Sequence, residues 1–229
     1  MTAPPAGRPV GRRIILGLAG LGVAGVLGGR RVSDNLARLL APVQRNDPTG
    51  LSSLLPLGNT FRYYSVTGAV RRETAADYRL SVGGLVAKSA SYSLADLQAL
   101  PQTTLVRDFQ CVTGWRVPEV HWSGVRLAEL LDAAVPAAGA TAVRFQSFDG
   151  TYTESLTIEQ ARRDDVIVAL QMLGAPVSHD HGGPVRMYVA PMYGYKSTKW
   201  LSGIELTAAV QPGYWEQTGD YAVDGWIDD

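Results

Sequence analysis

The chain has 229 residues, of which 46% are hydrophobic, and its 21 basic side chains balance 21 acidic ones. This length suits one domain of roughly 150–200 residues with an appended segment, and it is long enough to bury a substantial core. Seven arginines and one aspartate fall within residues 1–45, so the rest carries 14 basic and 20 acidic side chains, a net charge of −6. A mildly acidic body argues against a nucleic-acid-binding surface.

The N-terminal segment predicts export. Arg12-Arg13 precede an apolar, glycine-rich run that reaches Gly29, and Arg30-Arg31 follow it. Paired arginines before a short apolar run resemble a twin-arginine signal, and the run is shorter than the roughly 20 residues that span a bilayer. A plain single-pass anchor is the alternative. We therefore expect a signal or anchor over residues 1–31, a linker over 32–58, and a body outside the cytoplasm, whether periplasmic or on the cell surface.

The body alternates short strands with short helices. Ser93 and Pro101 have the positions of a helix N-cap and stop, and Asp149-Gly150 is typical of a hairpin turn. The predicted strands are Arg79–Gly84, Thr103–Phe109, Val143–Phe148, Tyr152–Leu156, Val166–Leu170, Val185–Val189 and Gly203–Leu206. The predicted helices are Leu94–Leu100, Leu127–Val135 and Ile158–Arg163. Because strands and helices mix without βαβ regularity, the sequence predicts an α+β fold with mixed β-sheets and short helices.

Cys111 is the only cysteine of the chain. A single thiol forms no internal disulfide and no zinc site of several cysteines. Three alternatives remain: an inert buried thiol, a nucleophile, or one thiolate ligand to a metal whose other ligands come from elsewhere. A cysteine hydrolase needs a base near its thiol. His121 or His181 could be that base only if the tertiary structure brings it close to Cys111.

A second unusual segment runs from His179 to Trp200. Its Gly182-Gly183-Pro184 stretch permits close backbone approach, and Arg186 offers a planar fork for an oxyanion. Residues 196–199 (KSTK) add two ammonium groups beside two hydroxyls. The glycine spacing is neither that of a P-loop nor that of a dinucleotide fingerprint. The segment therefore predicts a phosphorylated ligand; His179 and His181 as a separate metal site is the weaker alternative.

Together these segments carry a family resemblance. Residues 111–115 (CVTGW), 181–186 (HGGPVR) and 193–200 (YGYKSTKW) resemble the molybdopterin-binding domain of the sulfite oxidase family. The turn at 84–86, followed by residues 94–101 (LADLQALP), is also typical of it. The resemblance covers about residues 59–210, and all the segments occur in the family's order.

The resemblance implies an oxidoreductase with a Mo-molybdopterin cofactor. In this family the metal is held by two dithiolene sulfurs of the pterin and one protein thiolate, whose position matches Cys111, so Cys111 is expected to be both the metal ligand and the catalytic residue. The domain is expected over residues 59–215, followed by an acidic, solvated tail over 216–229. The expected cofactor-binding residues are Asn59, Arg62, Tyr63, Ser147, His181, Arg186, Ser197, Thr198 and Lys199.

The segment after the cysteine bears on the substrate. Sulfite oxidases and nitrate reductases usually have Ala-Gly-Asn there, whereas this chain has Val112-Thr113-Gly114-Trp115 and is more similar to the bacterial periplasmic protein-methionine-sulfoxide reductase branch. This implies oxygen-atom transfer with S-oxide substrates, free or protein-bound. Trp115, Arg107 and Arg116 are the candidate substrate residues. A sulfite-type dehydrogenase and a non-catalytic, membrane-tethered pterin-binding module are the alternatives.

The resemblance also implies partners. Because the body has no haem-attachment motif, we expect electrons to pass to or from a membrane haem protein or a soluble cytochrome. The chain ends at Asp229, so we expect a monomeric catalytic domain without the dimerising β-sandwich of the oxidases, and no nucleic-acid partner.

Overall fold

The computed structural model describes residues 61–219 and 221–227. The expected leader, the linker, Asn59, Asp228 and Asp229 lie outside these residues. The strands are β1 (Arg79–Gly84), β2 (Ala90–Ser93), β3 (Thr103–Gln110), β4 (Arg116–Arg126), β5 (Ala142–Ser147), β6 (Thr153–Thr157), β7 (Val166–Met172), β8 (Ala175–Pro176), β9 (Arg186–Val189) and β10 (Leu201–Thr207). The helices are α1 (Leu94–Ala99), α2 (Leu127–Ala134), α3 (Ile158–Ala161) and α4 (Tyr214–Thr218).

The strands form two sheets of five, which confirms the α+β prediction. The first has the order β2-β1-β10-β5-β6 and is mixed, because β1 runs parallel to β10 while the other pairs are antiparallel. The second is antiparallel, with the order β3-β4-β7-β8 and β9 also paired to β7. The predicted hairpin is present as β5 and β6, closed by the turn at Asp149-Gly150.

Strand β7 is buried on both faces and separates two apolar clusters. Val166 and Val168 belong to the larger cluster, which fills the space between the sheets and α2. Ile167 and Ala169 belong to a smaller cluster that contains Phe109 and other aromatic residues. The continuous apolar run of β7 is what a strand covered on both faces requires. The smaller, aromatic cluster lies beside the candidate site.

Local sequence explains the element boundaries. Ser93 Oγ accepts a hydrogen bond from the Asp96 amide at 3.1 Å, and the Asp96 carboxylate accepts one from the Ser93 amide at 2.8 Å, which is a capping box at the start of α1. Thr157 and Gln160 make the same arrangement at α3. Strand β4, which the sequence did not predict, passes so close to β7 that a Cβ at Gly124 would collide with the Val168 carbonyl.

The C-terminal region departs from the expected solvated tail. Residues 214–218 form α4, and the Glu216 side chain is fully buried against Lys196. Beyond α4, the Tyr193 amide donates to the Gly225 carbonyl at 2.9 Å. Asp224 is exposed, as expected. An acidic segment stays solvated only where no buried cation can pair with its carboxylates. Here the buried ammonium group of Lys196 pairs with the Glu216 carboxylate. No helix in the described part of the chain is long and apolar enough to cross a bilayer.

Candidate active site

A cleft of about 880 Å³, including its open mouth, lies next to the smaller aromatic cluster. It brings together parts of the chain that are far apart in sequence: the segment before β1, the end of β3, the turn after β5, the loops around β9 and the C-terminal segment. Its lining residues include Phe61, Arg62, Tyr64, Phe109, Cys111, Val112, Trp115, Asp149, Tyr152, His181, Arg186, Gly194, Tyr195, Ser197, Lys199, Trp200, Trp215 and Tyr221.

Cys111 lies in a tight turn directly after β3. Its amide donates to the Trp115 carbonyl at 2.9 Å, and its carbonyl accepts from the Gly114 amide at 2.9 Å. The Sγ atom lies 3.2 Å from Thr113 Oγ1 and lines the cleft, and the residue is partly exposed. This placement removes the inert buried thiol from the three alternatives.

Aromatic rings form the cleft wall next to Cys111. Phe109 stacks on Trp115 with 5.6 Å between the ring centroids, and Phe61 packs against both. Trp115, a candidate substrate residue, therefore lies at the cleft beside the thiol. Trp122 is buried.

Arg186, at the start of β9, is buried above this aromatic floor. Its guanidinium carbon lies 5.5 Å from the Phe109 ring centroid and 5.5 Å from that of Trp122. The guanidinium donates to the carbonyls of Met187, His181 and Ser197 at 2.7–3.2 Å. Burial lowers the pKa of Arg186 to about 10, so the group stays protonated at neutral pH. The loop geometry thus fixes one cation in the cleft.

Lys199 provides a second cation. Its Nζ lies 4.6 Å from the Trp200 ring centroid and donates to the Tyr64 carbonyl. Burial, followed by the charge of Arg186, lowers the pKa of Lys199 to about 7. Gly182 has a φ of +95°, and a Cβ there would lie 2.5 Å from Lys199 Cβ. The Gly182-Gly183 pair was expected to let the backbone approach a ligand closely. At Gly182 the backbone instead approaches the Lys199 side chain.

The remaining predicted residues divide into those that line the cleft and those behind it. Ser197 lines it, while Thr198 is fully buried and its Oγ1 has no hydrogen-bond partner within residues 61–219 and 221–227. Ser147 is buried, and its Oγ accepts from the amide of Asp149, a lining residue. Tyr63 lies one layer back, where its ring is 5.2 Å from Lys199 Nζ.

Arg62 and His181 line the cleft near the thiol. The Arg62 guanidinium lies 5.6 Å from the Trp115 ring centroid, and the His181 ring lies 5.3 Å from that of Phe61. Burial lowers the pKa of Arg62, and the nearby charge of Cys111 opposes this shift. A third cation is therefore close enough to the thiol to interact with it electrostatically.

Three predicted cations lie elsewhere. Arg116 is ion-paired with Asp108 and largely exposed, and neither Arg107 nor Arg116 is among the residues that line the cleft. Lys196 was expected to contribute to a phosphate cradle. It is instead fully buried, 2.7 Å from Glu154 Oε2 and 2.5 Å from Glu216 Oε1. That expectation was wrong for Lys196, because its ammonium group is ion-paired with two carboxylates that are distant in sequence.

Several lining residues were not predicted from the sequence. Tyr64, Asp149, Trp215 and Tyr221 reach the cleft from segments that carry no motif of their own. Trp215 packs against Tyr64 at 6.0 Å and against Tyr221 at 5.8 Å. Only tertiary contacts bring these segments to the cleft, although aromatic residues outside predicted strands are a weak indication of such a role.

Comparisons with known proteins agree with this geometry. The family described as "Oxidoreductase molybdopterin binding domain" matches residues 67–215, well over half of the chain. The oxidoreductase YuiH of Bacillus subtilis is 32% identical over 147 residues, which cover 64% of this chain and 74% of YuiH.

Two further relatives are longer than the region they share with this chain. The sulfite oxidase of Arabidopsis thaliana is 28% identical over 61% of this chain and 44% of its own length. The protein-methionine-sulfoxide reductase catalytic subunit MsrP of Ralstonia nicotianae is 29% identical over 60% of this chain and 46% of its own. The chain thus spans less than half the length of either.

A solved structure shares the fold. The sulfane dehydrogenase SoxCD of Paracoccus pantotrophus superposes with a TM-score of 0.57 at 21% identity, over 66% of this chain and 45% of its own. Domain match, relatives and cleft agree: the chain is an oxidoreductase that belongs to the molybdopterin-binding family of the sulfite oxidases.

Proposed function

We propose that the cleft holds Mo-molybdopterin with Cys111 as the protein ligand to molybdenum, and that the enzyme reduces S-oxides by oxygen-atom transfer. The observation that carries the proposal is the chain's single thiol at an aromatic cleft that also holds two cations, the buried Arg186 and the partly buried Lys199. A thiolate is the soft ligand that such a metal prefers, and the cofactor brings the remaining sulfurs.

The residues of the cleft fit an anionic, aromatic group. Within residues 61–219 and 221–227, no carboxylate lies in ion-pair distance of Arg186, which is buried, or of Lys199, which is partly buried. Uncompensated charges of this kind are costly unless an anion joins them. A phosphate supplies that anion, and the buried Thr198 hydroxyl is a further unused polar group.

Each of the predicted cofactor-binding residues then has a role. Arg186 and Lys199 hold the phosphate, with Ser197 and Thr198 beside them, and His181 and Arg62 contact the pterin. Tyr63 and Ser147 support this set from behind, through Lys199 and Asp149. Asn59, outside the described residues, keeps its predicted cofactor-binding role.

The reaction consumes one S-oxide, two electrons and two protons, and it yields one thioether and one water. When bound, the cofactor supplies a metal that accepts oxygen from the substrate and exchanges two electrons. The chain's own contribution is binding and orientation. Tyr64, Trp115 and Trp215 offer faces to the apolar substituents of an S-oxide and exclude water, while Arg62 can donate a hydrogen bond to its oxygen.

The aromatic lining favours an S-oxide over sulfite. Sulfite is a small, strongly hydrated anion, and the two arginines among the candidate substrate residues, Arg107 and Arg116, do not line the cleft. A neutral S-oxide with apolar substituents gains from aromatic faces. The presence of Arg62 near Cys111 keeps a sulfite-type dehydrogenase as the second candidate.

Parallel assays test the proposal. Protein from a cofactor-competent host is expected to contain about one molybdenum per chain and to reduce sulfoxides with a reduced viologen dye. Sulfite-dependent dye reduction without sulfoxide turnover would reverse the order of the two candidates. Cys111→Ser should abolish turnover and alter the electron paramagnetic resonance of the metal; stoichiometric metal with no turnover in the unaltered protein would favour the non-catalytic module.

Export and electron supply complete the proposal. We infer a twin-arginine signal from Arg12-Arg13, with a membrane haem protein or a soluble cytochrome as electron donor. Replacing Arg12 and Arg13 by Lys should leave folded, metal-containing protein in the cytoplasm. Undiminished export of that variant, measured by cell fractionation, would indicate a plain membrane anchor instead.

A further inference from the structure

Lys196 is a buried charged group that the proposed reaction does not use. Its ammonium group lies 2.7 Å from Glu154 Oε2 on β6 and 2.5 Å from Glu216 Oε1 on α4, and all three side chains are fully buried. It also donates to the Val223 carbonyl at 2.9 Å. One lysine therefore connects the first sheet to two points of the C-terminal segment, defined here as residues 213–219 and 221–227.

Glu216 has a second contact. Its Oε2 accepts a hydrogen bond from the Gly213 amide at 2.7 Å, so the same carboxylate caps α4 and binds Lys196. Further bonds follow along the segment: Tyr195 Oη donates to the Ala222 carbonyl at 2.7 Å, and the Ile227 amide donates to the Pro191 carbonyl at 3.2 Å. The segment is thus fixed to the loop that precedes and includes Lys196.

The same segment supplies one wall of the cleft. Trp215 lies between Tyr64 and Tyr221, with ring centroids 6.0 Å and 5.8 Å away, and all three rings line the cleft. Trp215 is adjacent in sequence to Glu216. The position of its indole ring consequently depends on where the Lys196–Glu216 contact holds α4.

A buried ion pair contributes little to stability, because the cost of desolvation offsets most of the attraction. The attraction offsets that cost only when the two groups are well aligned, so the pair constrains their relative position. Loss of one partner leaves an uncompensated charge in the interior. Such a pair therefore favours one position of the segment over nearby alternatives.

We propose that the contact of Lys196 with Glu216 is a latch that holds the C-terminal segment against the cleft, and that Trp215 is the residue that limits the size of the S-oxide substituent. Glu154 on β6 completes the latch. The assignment of Trp215 rests on the proposed function; the latch itself does not. Lys196 and Glu216 are positioning residues, since neither is among the residues that line the cleft.

Hydrogen exchange of the full-length holoenzyme tests the latch. In Glu216→Ala, the backbone amides of residues 221–227 should exchange at least tenfold faster, while those of β7 keep their protection. Glu159→Ala, an exposed glutamate on α3, is the matched control and should change neither region. If Glu216→Ala yields no folded protein, Glu216→Gln serves: it removes the charge, keeps the side-chain shape, and should accelerate the same amides selectively.

Two results would overturn the latch. One is unchanged exchange at residues 221–227 in the folded variant. The other is equal acceleration in β7, which would mean that the pair contributes only to overall stability.

Substrate selectivity tests Trp215. Trp215→Ala should raise the ratio of kcat/KM for diphenyl sulfoxide to that for dimethyl sulfoxide by about tenfold, mainly through KM, because an apolar wall discriminates on this scale. Trp215→Phe should restore most of the original ratio. Trp226→Ala is the control, because Trp226 belongs to the same segment, is exposed and does not line the cleft. A ratio within twofold of the unaltered enzyme would contradict the role of Trp215.

The two failures are distinguishable. If the unaltered enzyme oxidises sulfite and reduces no sulfoxide, the proposed function fails and the assignment of Trp215 to S-oxide size fails with it. The exchange measurement then still decides whether the latch exists, because it follows amides and not turnover.

Discussion

At the scale of single residues, two cations of the cleft, Arg186 and Lys199, have no carboxylate in ion-pair distance among residues 61–219 and 221–227. Arg186 keeps its charge because its pKa stays near 10 and three carbonyls accept its N–H groups. Lys199 is different, because burial and Arg186 lower its pKa to about 7. An anion bound beside it would favour the protonated form and raise that pKa again.

Anion binding should therefore be linked to proton uptake by Lys199. Below pH 7 the amine is already protonated, whereas at pH 8 it must take up a proton when an anion binds, so affinity falls as the pH rises through 7. Calorimetry of sulfate binding to cofactor-free protein, in two buffers of different ionisation enthalpy, should show uptake at pH 8 and much less at pH 6.

Lys199→Met should abolish this pH-dependent uptake. Lys88→Met, which alters an exposed lysine, should leave it unchanged. Sulfate is the suitable probe because it does not titrate in this range. Uptake of equal size in the Lys199→Met protein would exclude Lys199 as the group that is protonated.

At the scale of elements, the sequence predicted what local patterns encode. Capping residues and alternation predicted α1 and the β5–β6 hairpin, and the segment around Arg186, predicted as part of the site, lines the cleft. Strand β4 was missed, because Pro118 and Gly124 interrupt its pattern although both lie inside the strand.

The rest of the site depends on tertiary contacts. Trp215 and Tyr221 reach the cleft only because α4 and the residues after it fold back onto the domain. Lys196 and Lys199 look equivalent in sequence, yet one meets two carboxylates and the other meets none in ion-pair distance within the described residues. Partners more than 15 positions away decide this difference, and no local pattern reports them.

The turn between His181 and Gly183 makes a prediction at this scale. Gly182→Ala would place a methyl group 2.5 Å from Lys199 Cβ at a φ of +95°, so Lys199 must move. We expect a loss of about 2 kcal/mol in the free energy of unfolding, measured by urea denaturation, and at least a tenfold weaker affinity for sulfate.

Gly174→Ala is the matched control for this prediction. Gly174 also has a positive φ, +76°, but no atom lies within 4 Å of its Cβ position. This variant should therefore show the backbone strain and keep the affinity for sulfate. An equal loss of affinity in both variants would mean that the close approach of Gly182 to Lys199 is not the cause.

At the scale of the whole molecule, one buried cluster joins the first sheet, the loop after β9 and the C-terminal segment. The cluster consists of two carboxylates and one ammonium group, those of Glu154, Glu216 and Lys196, and all three side chains are fully buried. Burial, aided by the charge of Glu216 and opposed by Lys196, raises the pKa of Glu154 to about 8. At neutral pH Glu154 in the folded protein therefore holds a proton.

This proton makes the stability of the fold depend on pH. Between the ordinary pKa of 4.5 and the raised value of about 8, folded Glu154 is protonated while the unfolded chain has lost that proton. Folding then takes up a proton, so the stabilisation is complete below pH 4.5 and declines as the pH rises through 8. The glutamine of Glu154→Gln does not titrate, so this variant does not lose that stabilisation as the pH rises. The difference between its free energy of unfolding and that of the unaltered protein should therefore increase in favour of the variant from pH 5 to pH 8, by at most about 1.4 kcal/mol per pH unit. Urea denaturation across this pH range measures this difference in the free energy of unfolding, with Glu159→Gln, at an exposed position, as the control. A difference that does not change with pH would show that Glu154 is ionised in the folded protein.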